Sequence, residues 1–136
     1  MPTAEALALL ADLRARQRQF DAAVHLYRQA VDTERALFPG GHPQTATHLL
    51  GLARLLLYHH QTAEAEAAVR EALEIRLNFF PADAWLISEA ENIEGAVLEA
   101  THHETEGHDL LARTMARLLR DPGPGTEVAQ LAWRPR

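Results

Sequence analysis

A chain of 136 residues is enough for one domain with a buried core, and 47% apolar with 24% charged residues is the balance of a folded globular protein rather than a disordered one. A net charge of −6 and 6% aromatic content speak against a nucleic-acid surface, and no uncharged stretch approaches the roughly 20 residues that span a bilayer. The absence of cysteine excludes disulfides, thiolate metal sites and a Cys nucleophile, and the opening MPTAEALALLADLRARQ, interrupted by Glu5 and Asp12, is no secretory signal, so the expected setting is cytoplasmic.

The first stretch, residues 3–37, is rich in Ala, Leu, Glu and Arg, the strong helix formers, and holds two helices with a turn near 17–20. Leu7, Leu10 and Arg14 share one helical face; Ala23 and Tyr27 follow on the second helix. FPGGHP (38–43) closes this pair, and Pro43 suits the first turn of the next helix. The second stretch repeats the plan with Leu49, Leu52 and Leu56, a turn near 59–62, then Ala65 and Val69, and ends at FPAD (80–83). The third runs from 83 with a turn near 101–104 and closes at DPGPG (121–125). The final TEVAQLAW (126–133) reads as a short capping helix whose Val128, Leu131 and Ala132 cover the last apolar face.

The chain superposes on itself at an offset of 42 residues. Leu7, Leu10, Ala11 and Leu13 fall on Leu49, Leu52, Ala53 and Leu55, while Ala23, Arg28, Ala30, Phe38 and Pro39 fall on Ala65, Arg70, Ala72, Phe80 and Pro81. A second shift brings Gly95 under Ala11 and Ala53, and Gly107 under Ala23 and Ala65. Two antiparallel helices cross closely only where small side chains let their backbones approach, so each pair needs one small residue per helix. A fixed period of helix pairs predicts an all-α fold, an α-solenoid of three antiparallel helix pairs, with each pair buried against the next.

LLADLRARQRQFDAAVHLYRQAVDTE and LGLARLLLYHHQTAEAEAAVREALEI resemble tetratricopeptide repeats, with their Leu-Ala, Ala, Tyr and Ala landmarks. The period and the FPGGHPQTA linker are similar to the long-helix variety of kinesin light chains and many bacterial proteins. The resemblance implies a single domain with repeats at about 3–41, 42–82 and 83–121 and a capping helix at 126–133. The third repeat departs from the pattern by placing Glu91 and Glu94 where leucines belong. Either its first helix rotates to use Ala90, Ile93 and Val97 as the core stripe, or Arg113 or Arg117 pairs with one Glu. Trp85 is expected to cover the Phe79 and Phe80 end of the preceding helix.

HHETEGH (102–108) raises the question of a zinc site. His103 and His108 are five apart, about 140° around a helix, so they cannot share the ligand face that HExxH provides. His102 occupies the place of Arg18 and His60 in the turn between helices. His59, His60, His102 and His103 then lie along one edge as weak candidates for adventitious zinc or nickel. Ser88, the only serine, lacks a nucleophile-elbow motif, and no Gly-rich phosphate loop precedes a helix, so no catalytic residues and no cofactor are expected.

The resemblance implies instead an interaction module. The first helix of each pair would line a concave groove, and the candidate partner-binding residues are Asp12, Arg16, Thr47, Leu50, Arg54, Tyr58, Glu89, Asn92 and Glu99. Such a groove leans acidic, with an apolar patch at Leu50, and suits an extended or helical peptide carrying a basic and an apolar feature. The expected role is that of a non-enzymatic scaffold or adaptor with a protein or peptide partner, no nucleic acid and no membrane. The alternative is a self-associating structural protein that pairs through its exposed solenoid ends.

Overall fold

The computed structural model describes residues 2–120, and these form six helices and no strand. They are α1 (Ala4–Arg16), α2 (Phe20–Leu37), α3 (Pro43–Tyr58), α4 (Thr62–Phe79), α5 (Trp85–Ala100) and α6 (Glu104–Arg120). The described residues form an all-α solenoid of three helix pairs, as the 42-residue period predicts. The closing DPGPG and the capping helix at 126–133 lie outside the described residues.

Local chemistry fixes the helix ends. Thr3 caps α1 by accepting the Ala6 N–H at 3.1 Å, and His42 caps α3 by accepting the Gln44 N–H through Nδ1 at 3.0 Å, with Pro43 in the first turn. The three turns within pairs are copies of one another. Arg18, His60 and His102 have φ of 60°, 62° and 67°, the left-handed region that glycine adopts without cost. In each turn the next residue closes a Schellman loop: Gln19 donates to the Arg14 carbonyl, Gln61 to Leu56 and His103 to Leu98, all at 2.8 Å.

A side chain in that conformation costs about 1–2 kcal/mol, while glycine costs about 0.4–1 kcal/mol in the unfolded chain. Replacing Arg18, His60 and His102 together by Gly should therefore raise stability by about 2 kcal/mol in urea melts. A loss of stability would show that these side chains make contacts worth more than the strain.

The helix crossings sit at the predicted small residues. Ala11, Ala23, Ala53 and Ala65 are wholly buried, and a Cβ on Gly95 or Gly107 would collide with the facing helix. The second helix of each pair then covers the first helix of the next, α2 against α3 and α4 against α5. α3 and α5 also touch directly, which puts the first helices on the inner, more closely spaced side of the curve. On the outer side two ion pairs tie α2 to α4: Arg28 meets Glu64 through contacts of 2.5 and 2.9 Å, and Arg35 meets Glu71 in the same bidentate way.

Both expectations for the third pair are realised together. Ala90, Ile93 and Val97 form the buried stripe of α5, turning Glu91 and Glu94 toward its flanks, where Glu91 comes within 4.0 Å of Arg117. Glu94 is partly buried beside Glu66 and Arg70 of α4. Burial first, then the charge of Glu91, raises its carboxyl above the ordinary 4.5, outweighing Arg70. A raised folded value means that the fold favours protonated Glu94. Stability from this group is full below pH 4.5 and is lost as pH climbs through the folded value, so at neutral pH the charge is a cost. Glu94→Gln should thus raise the urea midpoint at pH 7 and leave it unchanged near pH 4. An equal gain at both would mean that repacking, not charge, is responsible.

Trp85 differs from expectation. It packs with Met115 against Leu118 of α6, inside its own pair, where the antiparallel arrangement sets the first turn of α5 beside the last turn of α6.

Candidate functional site

The inner side of the first helices is the surface where the sequence placed a partner. Four of the expected residues are exposed there: Asp12 and Arg16 on α1, Thr47 and Tyr58 on α3. Arg54 and Glu99 are partly buried. Leu50, Glu89 and Asn92 are enclosed, at 2%, 8% and 0% exposure, and present almost nothing to a partner. Leu50 belongs to the apolar core. Asn92, at the slot of Leu50, lies in the α5–α6 crossing, where its Nδ2 donates to Thr114 Oγ1 at 3.0 Å.

What replaces the expected open groove is a band of polar groups running across α1, α3 and α5. At one end the Tyr27 hydroxyl, from α2, donates a very short hydrogen bond to the Asp12 carboxylate. Gly51 makes room for that ring: a Cβ on it would lie 2.8 Å from Tyr27 Cζ. Burial, and then the bond to Asp12, push the Tyr27 phenol far above its ordinary value and keep it a donor at every ordinary pH. At the other end Arg76, in the last turn of α4 and only 2% exposed, donates to Glu89 Oε1 at 2.8 Å, to the Leu86 carbonyl at 2.7 Å and to Thr47 Oγ1 at 3.4 Å. Arg54 lies between the two ends. Burial lowers its pKa, while the nearby carboxylates of Glu89 and Asp12 support the guanidinium and Arg76 opposes it. Negative and positive groups therefore alternate along the band.

Two members of the band, Tyr27 and Arg76, lie outside the expected set because both come from second helices. A signal for the second was in the sequence. Glu34, Arg76 and Leu118 share one slot at the 42-residue offset, on an otherwise apolar stripe. In the structure Glu34 and Arg76 each reach forward to the next first helix. Glu34 meets His48 Nδ1 at 2.6 Å and Arg76 meets Glu89, so each junction between pairs is sealed by one buried polar pair of opposite polarity.

The edge of the inner face carries an aromatic cluster. Tyr58 is 47% exposed and stacks on Phe20, with centroids 5.3 Å apart, and the His59 ring stands edge-on to Phe20 at 4.7 Å. His59 is thereby turned inward, while His60, His102 and His103 are exposed on their turns. Farther along, His108 contacts Glu99. Among the described residues no three His, Cys, Asp or Glu side chains gather where they could hold a metal ion. Nor is any helix of the described residues long and apolar enough to cross a membrane.

A family model for the tetratricopeptide repeat matches residues 2–78. Among solved structures the chain is similar to one from Podosopora anserina, described as a kinesin light chain with nearly identical TPR-like repeats. The two share 19% identity and superpose with a TM-score of 0.71 over 86% of this chain. The match takes in 55% of the longer chain, so this protein spans about half the length of that structure. No curated protein matches the sequence.

Proposed function

Since the chain belongs to the tetratricopeptide repeat family, whose repeats generally mediate protein–protein interactions, we propose that it is a non-enzymatic scaffold or adaptor holding a peptide segment of a partner against the inner sides of α1 and α3. The observation that carries this reading is Tyr58. Its ring is exposed yet held by Phe20 and His59, so an apolar partner side chain can seat on it without first ordering it. Thr47, Asp12 and Arg16 are exposed on the same two helices and offer hydrogen bonds to an extended or helical segment. A basic feature on the partner has less support than the sequence suggested. Asp12 and Glu89, the acids that would attract it, are already engaged by Tyr27 and Arg76.

Arg54 is half-buried within the band rather than projecting into solvent, so Arg54→Glu would crowd a third carboxylate against Asp12 and Glu89 and confound any binding measurement. Tyr58 is the cleaner probe. A photo-crosslinking residue placed at Tyr58 should capture the native partner, and one at exposed Gln29 on α2 should not. Tyr58→Ala should weaken capture without lowering the melting temperature. Crosslinking at 29 alone would move the working surface to the outer helices.

A further inference from the structure

We propose that a second copy of this chain docks on the outer side of α1, the two α1 helices running antiparallel about a two-fold axis. Leu9, Leu10 and Leu13 are 64%, 38% and 48% exposed, and with exposed Ala6 they form one stripe at helical spacing. Within the molecule such a stripe is covered. Leu52 and Leu55, the residues of α3 that correspond to Leu10 and Leu13, lie in or against the core beneath α2.

Two observations select a second α1 as the occupant. The first is charge: α1 carries Glu5 in its first turn and Arg14 and Arg16 in its last. Glu5, Leu9 and Arg16 share one flank of the stripe, so antiparallel pairing sets Glu5 of each copy against Arg16 of the other, twice over by symmetry. Parallel pairing would stack like charges. The second is composition at the opposite end of the fold. There the outer side of α6 exposes Glu106, Asp109, Arg113 and Arg120, and Leu119 is its one large exposed apolar residue. Among the described residues that side of α6 offers the three leucines no matching apolar stripe, whereas a second α1 does. A 13-residue helix is about 20 Å long, so the seam is short and the dimer weak, with a dissociation constant on the order of micromolar.

Sedimentation velocity of the full chain over a micromolar dilution series tests this. The mass should move reversibly between 15.1 kDa and twice that value. Leu13→Arg should weaken association at least about tenfold. Glu5→Arg alone and Arg16→Glu alone should also weaken it, because each sets like charges together. The double variant Glu5→Arg/Arg16→Glu should restore it, since each reversed pair meets its own complement across the axis. All three positions are exposed, and circular dichroism should confirm unchanged helicity. A monomer at every concentration overturns the proposal. So does growth beyond two copies, which would mean α6 stacking head-to-tail on α1, and so does a double variant that stays dissociated, because an unreversed partner surface gives no rescue.

Discussion

Arg76→Ala should destabilise the protein by about 3–5 kcal/mol, the loss typical when one member of a buried ion pair is removed and the other stays buried. Arg76 is 2% exposed and Glu89 8%, so neither gains water when the other is lost. The truncation also strips donors from the Leu86 carbonyl at the start of α5 and from Thr47 on α3, leaving a space among α3, α4 and α5. The damage should be local in the first instance: in hydrogen exchange at low denaturant, α5 and α6 should open before α1 to α3. Glu89→Gln keeps an acceptor for Arg76 and should cost less. Leu118 shows what the slot accepts without charge, for there an apolar side chain packs with Trp85 and Met115. Arg76→Leu/Glu89→Leu should accordingly recover part of the loss, as apolar replacement of buried pairs often does. A cost below about 1 kcal/mol for Arg76→Ala would mean that the junction rests on its apolar contacts alone.

The difference between Arg76 and its equivalents explains which parts of this protein were legible in its sequence. The crossings were legible, because a backbone contact tolerates only Gly or Ala, and Ala11, Ala53, Gly95 and Ala23, Ala65, Gly107 keep that restriction at a fixed offset. The turns were legible only through that offset, since Arg18, His60 and His102 bring no glycine to mark the left-handed residue. The inner face was less so. Assigning Leu50, Glu89 and Asn92 to it assumed that this side of each first helix is open, whereas Leu50 and Asn92, one slot at the 42-residue offset, are buried on α3 and α5 alike, and Glu89 is enclosed where its equivalent Thr47 is exposed. Nothing in the spacing of first-helix residues reports a long side chain arriving from a second helix, as Tyr27 and Arg76 do. A charged residue on an apolar stripe was the available clue. It becomes readable only when paired with an opposite group 13 or 14 residues on, Glu34 with His48 and Arg76 with Glu89.

Gly107→Ala should cost several kcal/mol even though alanine favours helix by about 1 kcal/mol over glycine. A Cβ on Gly107 would lie 2.6 Å from Glu99 Cγ, 2.7 Å from the Glu99 nitrogen and 2.7 Å from the Gly95 carbonyl oxygen. Two of these atoms are backbone of α5 and cannot swing aside, so α5 and α6 must separate along the crossing. Separation loosens the Asn92–Thr114 hydrogen bond and the contact of Trp85 with Leu118, which lie along the same interface. The loss should exceed the roughly 1–3 kcal/mol of ordinary overpacking in a core. Two substitutions calibrate the result. Gly40→Ala meets nothing within 4 Å and should be neutral. Ala65→Gly, at the same place in the second crossing, removes one methyl and should cost only about 1 kcal/mol. The expected order of urea midpoints is Gly40→Ala, then Ala65→Gly, then Gly107→Ala. If Gly107→Ala matched the unchanged protein, the third pair would not cross as closely as the first two, and the shared small-residue register would fail at its last repeat.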